Sequence, residues 1–213
     1  MIVKITNGRF ILDNEIKSGI DLYYENGKIT AIQDYPLKYD KLIDAKGNFV
    51  SAGFIDIHLH GGDGYEFEDG SEEGVCHAAN LHYNHGTTTM FPTLSASDTD
   101  TVTSTLEAIK NVMLKGSAKP HIEGVHLEGP YLSSRQSGAQ DASHIVSPNK
   151  EEYVNILEKY GDIVKRWTYA PEINNAAEFQ ETLNKWGIVS SAGHTDAEYE
   201  EFIEAYKAGC KLI

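Results

Sequence analysis

The stretch that decides the fold is Gly53-Phe-Ile-Asp-Ile-His-Leu-His60, an apolar run that ends in two histidines. Its length and apolar character predict a buried strand. Residues i and i+2 of a strand point to the same side, so His58 and His60 share one side of the strand end. Two imidazoles in this arrangement form half of a site for a divalent metal ion. A bare His-x-His pair is more often structural. Here Asp56 and the glycine-rich segment 61–64 favour a ligand site, because glycine lets the backbone approach a ligand closely.

Downstream of this strand, buried-strand runs alternate with amphipathic helices, which predicts a parallel sheet. Five strand–helix units fit between residue 54 and about residue 209, at roughly 32 residues each, and eight such units would make a (β/α)8 barrel of the usual size. We therefore predict the first five units of a barrel, although a five-stranded open sheet of the flavodoxin type also fits the count. The predicted helices cover residues 71–84, 99–115, 148–160, 175–186 and 196–208.

Capping residues predict where two of these helices begin. Ser147 followed by Pro148 matches a cap with a proline in the first helical position, where its missing N–H costs nothing. Thr195 and Glu198 have the spacing of a capping box, in which each side chain accepts a hydrogen bond from the other residue's backbone. Both pairs predict helices that start directly after them.

Residues 1–50 have a different pattern. Short runs alternate between apolar and polar residues and are separated by turn residues, among them Asn26-Gly27. An Asn-Gly pair between alternating runs is a strong hairpin signal. We therefore predict two parts, a small antiparallel β-sandwich module at residues 1–50 and a metal-dependent barrel segment at residues 51–213.

Two further strand ends carry candidate metal ligands. Glu128 ends one predicted strand, where a buried carboxylate is costly unless it is paired or bound to metal. His194 follows another. Together with His58 and His60 they place four ligands at the ends of strands 1, 3 and 5, the face on which barrel enzymes carry their active sites. His126 faces the same side as Glu128, and we interpret it as a packing residue or as a support for a ligand.

The composition narrows the class of protein. The formal net charge of −14 disfavours nucleic acid and anionic membranes as partners, because like charges repel. No apolar stretch approaches the roughly 18 residues of a membrane span, and the N-terminus lacks the apolar run of a signal peptide. The two cysteines, Cys76 and Cys210, are too few for a disulfide-stabilised secreted protein. We therefore expect a cytoplasmic protein.

These segments resemble the amidohydrolase superfamily, and within it the N-acetylglucosamine-6-phosphate deacetylases. His126-Leu-Glu-Gly-Pro130 and Gly193-His-Thr195 are typical of the deacetylases, whereas segment 53–60 is shared across the superfamily. The resemblance extends over the whole chain and implies a TIM-type (β/α)8 barrel, incomplete here, preceded by a small β module. The fourth strand, within 165–172, has no lysine near its catalytic end. This favours the deacetylase branch over hydantoinase-like and dihydroorotase-like relatives.

The resemblance implies roles for individual residues. Glu128 and His194 match the ligands of the main catalytic metal ion. His58 and His60 match the ligands of a second metal position that some members of the family have. Zinc is the expected metal for a site of histidine and glutamate, with iron, manganese or cobalt as alternatives.

Ala139 and Gln140 match the segment that contacts the sugar, and many relatives have histidine where Gln140 stands. A further metal-binding histidine, a catalytic aspartate and a phosphate-binding arginine of the family are expected beyond residue 213. The resemblance therefore implies no catalytic residue in this chain, and we expect the chain to be inactive by itself.

The activity implied by the resemblance is hydrolysis of the acetamide of N-acetylglucosamine 6-phosphate to glucosamine 6-phosphate and acetate, in amino-sugar catabolism. A metal ion would polarise the carbonyl and acidify its bound water, and an aspartate would pass the proton of that water to the leaving amine. The expected partner is a small amino-sugar phosphate, and the full-length protein is expected to be a homodimer. The alternatives are a related amidohydrolase acting on another acylated amine, and a truncated, non-catalytic chain.

Overall fold

The chain divides into two units, Met1–Gly53 and Phe54–Ile213. The structure is a computed structural model that describes residues 1–213. The first unit contains two small β-sheets, and the second contains a parallel sheet covered by helices. None of the helices combines the length and the apolar character that crossing a lipid bilayer requires.

The hairpins of the first unit are antiparallel. Asn26 (φ 51°) and Gly27 (φ 75°) form one hairpin turn, which needs the left-handed backbone that asparagine and glycine adopt most readily. Segments far apart in sequence pair in parallel instead, so the sheets are mixed rather than wholly antiparallel. The strands are, in sheet order, Lys28–Gln33, Asp21–Glu25, Ile2–Thr6 and Lys41–Asp44 in one sheet, and Ile16–Lys17, Arg9–Ile11 and Phe49–Val50 in the other.

In the second unit, five parallel strands pair in the order in which they occur along the chain. A flavodoxin-type sheet would place its second strand outside its first, so the consecutive order excludes that alternative. The sheet is curled, as in part of a barrel. A short strand, His121–Ile122, pairs in parallel with the second of the five strands. Barrel strands 1 to 5 are Phe54–Leu59, Thr87–Leu94, Val125–Glu128, Val164–Tyr169 and Val189–Ala192.

An α-helix follows each barrel strand, within three residues of the predicted bounds at either end. The first two begin with side-chain caps, because the side chains of Ser71 and Asp98 accept hydrogen bonds from backbone N–H groups of the first turn. The helices are α1, Glu72–Asn84; α2, Thr99–Lys115; α3, Lys150–Tyr160; α4, Ala176–Trp186; and α5, Tyr199–Ala208.

The caps predicted for α3 and α5 are wrong. Asn149 caps α3, so the Ser147-Pro148 pair lies before the helix. The capping box of α5 consists of Glu198 and Glu201 rather than Thr195 and Glu198. The Thr195 hydroxyl instead donates to a carboxylate at the end of barrel strand 4, a tertiary contact that spacing along the chain does not reveal.

An aromatic cluster forms the centre of the core between the sheet and its helices. The ring of Phe179 lies 4.9 to 5.6 Å from the rings of Tyr131, Tyr153, Trp167 and Tyr169. The indole N–H of Trp167 donates to the carbonyl of Gly129 at 2.8 Å. The core therefore anchors the backbone directly after barrel strand 3, where the predicted ligand Glu128 lies.

Candidate metal centre

Three barrel strands bring the four predicted ligands together. The Nε2 atom of His58 lies 3.1 Å from Oε1 of Glu128, and Nε2 of His60 lies 3.3 Å from Oε2. His194 approaches from barrel strand 5, with its Nε2 atom 3.4 Å from Oε1. His58, His60 and Glu128 offer ligand atoms that all lie within 4.8 Å of one another, and they form a group that could hold a metal ion.

The Glu128 carboxylate is buried but ionised. Only 5% of the residue is exposed, and burial by itself would raise the pKa. The hydrogen bond from His60 and the charges of the surrounding imidazoles outweigh burial and lower the pKa of Glu128 to about 2. The same hydrogen bond raises the pKa of His60. The Glu128 carboxylate is therefore available as an anionic ligand.

The His194 ring suits a cation. Its Nδ1 atom lies 3.0 Å from the carbonyl oxygen of Gln136, which can only accept, so Nδ1 carries the proton. In neutral His194 the Nε2 atom then has a free lone pair and faces the Glu128 carboxylate. Two acceptors that face each other repel unless a proton or a metal ion lies between them. The donor set of three imidazoles and one carboxylate therefore fits a divalent transition metal.

Neighbouring polar groups orient the ligands, as around many metal sites. The Ser95 hydroxyl lies 3.1 Å from Nδ1 of His60, and the Ser95 N–H donates to Glu68 at 2.5 Å. Asp56 accepts a hydrogen bond from the backbone of His58 at 3.1 Å. Ser95 and Glu68 were not predicted from the sequence. Ser95 has the same pattern by which the metal ligands were predicted, a polar side chain at the end of a buried strand.

His126 is a support rather than a ligand. It is fully buried, and its ring nitrogens lie 3.1 Å from the Thr93 hydroxyl and 2.7 Å from the Thr168 hydroxyl. Burial, together with the positive charge of Arg166, lowers the pKa of His126 to about 2, so the ring is neutral. It packs edge-on against His58, with 4.8 Å between ring centroids. His126 thus links barrel strands 2, 3 and 4 beneath the predicted ligands.

The predicted sugar-contact residues lie beside the same carboxylate. The side chain of Gln140 donates to Oε2 of Glu128 at 2.7 Å and accepts from the Ala96 N–H at 2.7 Å. Ala139 is exposed in the adjacent turn. A Cβ atom at Gly138 would lie 3.3 Å from Cε1 of His194, so this turn packs closely against the His194 ring.

Other histidines make contacts elsewhere. His77 pairs with Asp63 at 3.2 Å, and His121 pairs with Glu123 at 2.9 Å. His82 lies on α1 and reaches the carbonyl of Gly61 at 2.9 Å, which ties the helix to the segment after His60.

Comparison with known proteins decides the family. The sequence profile described as "Amidohydrolase family" matches residues 49–212, more than half of the chain. The chain belongs to the amidohydrolase family. Its predicted membership and its TIM-type barrel fold are thereby confirmed.

Curated proteins similar to this amidohydrolase include two named N-acetylglucosamine-6-phosphate deacetylase. The one from Lysinibacillus sphaericus is 30% identical over 191 residues, which cover 89% of this chain and 49% of that protein. The one from Bos taurus is 31% identical over 227 residues, which cover 100% of this chain and 54% of that protein. The amidohydrolase therefore spans about half the length of the curated relatives it matches.

Solved structures of N-acetylglucosamine-6-phosphate deacetylases are also similar to this chain. The N-acetylglucosamine-6-phosphate deacetylase of Pasteurella multocida has a TM-score of 0.87 at 28% identity, with 99% of this chain and 55% of that chain covered. The Mycobacterium smegmatis deacetylase, solved as a D267A mutant with N-acetyl-D-glucosamine-6-phosphate, has a TM-score of 0.86 at 27% identity, with 99% and 54% covered. The amidohydrolase thus resembles about half of each of these structures.

Proposed function

We propose that this chain supplies the metal site of a hydrolase that removes the acetyl group from N-acetylglucosamine 6-phosphate. The observation that carries the proposal is the convergence of three imidazole Nε2 atoms within 3.4 Å of the Glu128 carboxylate. The substrate is inferred from the deacetylase relatives, whose names state that activity.

In this proposal, Glu128 and His194 hold the main metal ion, and His58 and His60 complete the site or form a second position. Zinc is the first choice, because imidazole and carboxylate are its usual ligands in catalytic sites; iron, manganese and cobalt also suit this set. A bound metal ion would polarise the acetamide carbonyl and acidify a water molecule.

The chain's own residues keep the site ready for such an ion. Glu128 stays ionised at neutral pH, because its pKa is lowered to about 2. The Ser95 hydroxyl holds the His60 ring at Nδ1, and the Gln140 side chain holds the Glu128 carboxylate at Oε2. Ala139 lies on an exposed turn against His194, where we propose that it contacts the sugar.

The proposed partner is a small amino-sugar phosphate, and we propose a homodimer working in the cytoplasm. An anionic substrate has to approach a chain with a formal net charge of −14. Salt screens this repulsion at distances beyond about 8 Å at physiological ionic strength. Binding therefore has to come from contacts within the site rather than from long-range attraction.

The test is acetate release from N-acetylglucosamine 6-phosphate, with zinc present, by the 213-residue chain and by the product of its complete gene. The expected result is turnover by the complete product and none by its Glu128→Gln variant, which keeps the side-chain shape but removes the charge. N-acetylglucosamine without phosphate is the matched control substrate, and we expect it to react more slowly. If neither polypeptide releases acetate, the substrate assignment fails, and other acylated amines become the candidates.

A further inference from the structure

The segment after barrel strand 5, Gly193–Ala197, holds His194 in an unusual backbone conformation. His194 has φ of 48°, in the left-handed region that residues with a side chain enter only at an energetic cost. Such a conformation persists where surrounding contacts hold it. The contacts that hold this segment therefore decide where the His194 imidazole points.

One carboxylate binds both residues that follow His194. Glu172 lies three residues after the end of barrel strand 4, in the sequence Ala170-Pro-Glu172. Its Oε2 atom accepts from the Thr195 hydroxyl at 2.5 Å, and its Oε1 atom accepts from the Asp196 N–H at 2.7 Å. Thr195 Oγ1 in turn accepts from the N–H of Ala197 at 3.0 Å. Glu172 thus connects the end of strand 4 to the two residues after His194, and Thr195 links them to Ala197.

A second set of contacts, from residues 133–136, holds the same segment. Gln136 accepts from Nδ1 of His194 with its backbone carbonyl at 3.0 Å. Its side chain donates to Asp196 at 2.8 Å, and Arg135 pairs with Asp196 at 2.9 Å. The N–H of Ser133 donates to the carbonyl of His194 at 2.9 Å. Glu172 and Gln136 therefore both hold the segment that carries His194, whose Nε2 atom faces Glu128.

We propose that Glu172 is a positioning residue for His194. By accepting two hydrogen bonds from the backbone and side chain just beyond His194, it keeps the Nε2 lone pair directed at the metal site. Carboxylates that orient metal-ligating histidines usually accept directly from the ring N–H. In this chain a backbone carbonyl, that of Gln136, accepts from the ring N–H. The Glu172 carboxylate instead holds the segment that carries the ring. The inference rests on the proposed function only in assuming that the site binds a divalent metal ion.

The test measures zinc affinity by competition with a chromophoric chelator, in the protein expressed from its complete gene. Glu172→Ala should raise the dissociation constant by about 10- to 100-fold, the usual effect of losing an outer partner of a metal ligand. Glu172→Gln should have a smaller effect, because its amide oxygen still accepts from Asp196 while its NH2 group faces the Thr195 oxygen. Thr195→Val, which removes one of the two hydrogen bonds, should also fall between the wild type and Glu172→Ala.

Asp98→Ala is the matched control. Asp98 also accepts from a backbone N–H and a threonine hydroxyl, those of Thr101 at 2.8 and 3.0 Å, but it caps α2 and contacts none of the ligands. Its loss should lower the unfolding temperature while leaving zinc affinity within twofold of wild type. Circular dichroism checks that each variant is folded, and the visible spectrum of bound cobalt reports a change in ligand geometry for Glu172→Ala.

The proposal is overturned if folded Glu172→Ala has a zinc affinity within twofold of wild type and an unchanged cobalt spectrum. If Glu172→Ala does not fold, the same result for folded Thr195→Val overturns it. Glu172 would then stabilise the fold only, as Asp98 does. Acetate release by the wild type is measured separately. A wild type that binds zinc with this dependence on Glu172 but releases no acetate would refute the proposed substrate and support the role of Glu172.

Discussion

Replacing His126 with leucine removes the polar link beneath the predicted ligands at nearly constant volume. The ring is fully buried and bonded to Thr93 and Thr168. Thr93 keeps two other partners, the Leu59 N–H at 3.1 Å and the Phe91 carbonyl at 3.2 Å. His126 is the hydrogen-bond partner of the Thr168 hydroxyl, which would be left buried and unpaired.

The expected loss of stability follows from these hydrogen bonds. An unpaired buried hydroxyl costs about 1–3 kcal/mol, and each lost hydrogen bond contributes about 1 kcal/mol net. We expect His126→Leu to lower the free energy of unfolding by about 2–3 kcal/mol. Thr168→Val leaves a ring nitrogen unpaired and should cost a similar amount. The double variant removes both partners, so it should be less destabilised than the sum of the two by about 1–2 kcal/mol.

The assay is equilibrium unfolding in urea with a chelator present, so that metal binding at neighbouring His58 does not contribute. His121→Leu is the matched control. Its side chain is 67% exposed, and we expect a change within about 0.5 kcal/mol. Additivity of His126→Leu and Thr168→Val within about 0.5 kcal/mol would refute the reasoning, because independent sites add.

Three further predictions concern other parts of the chain. Glu128→Gln should abolish measurable zinc binding in isothermal titration calorimetry, since it removes the only carboxylate that contacts the three imidazoles; undiminished binding would place the metal elsewhere. Phe179→Ala should lower the free energy of unfolding in urea by about 3–5 kcal/mol, because the ring is fully buried among four aromatic rings; a loss below about 1 kcal/mol would contradict this packing. In the first unit, burial would raise the pKa of Asp21, but its hydrogen bonds from Lys4 and Thr6 outweigh burial and lower it. A lowered carboxyl pKa contributes stability above the unfolded pKa of about 4 that is lost as the pH falls through the folded value. Asp21→Asn should therefore destabilise the chain at pH 7 by up to about 1 kcal/mol and reduce the loss of stability in acid. The measurement is urea unfolding between pH 2 and 7 in steps of about one unit. An unchanged dependence of stability on pH would show that the Asp21 carboxylate does not contribute to stability.

The alternation of strands and helices was readable from the sequence because periodicity depends on neighbours along the chain. The helix α2 was predicted at 99–115 and occupies Thr99–Lys115. The start of α5 was not predictable in the same way. Thr195 has a capping spacing to Glu198, but Glu172, which is 23 residues away, binds its hydroxyl.

The candidate site shows the same division. Parallel strands end at one edge of a sheet, so polar residues at several strand ends predicted that His58, Glu128 and His194 would converge. The predicted sugar contact of Gln140 stays a prediction, while its hydrogen bond to Glu128 was not foreseen. A flexible side chain on a loop has many orientations, and sequence spacing does not select among them.

The sequence by itself determined the number and order of the strand–helix units, and which strand ends carry histidine and glutamate. Both follow from the hydrophobic pattern, which each segment carries locally. Only the tertiary structure decided the orientation of the His194 ring, the neutral link made by His126 and the attachment of Glu172 to the segment that carries His194. These depend on hydrogen bonds between segments 23 to 58 residues apart, and such bonds form only when folding brings the strand ends together.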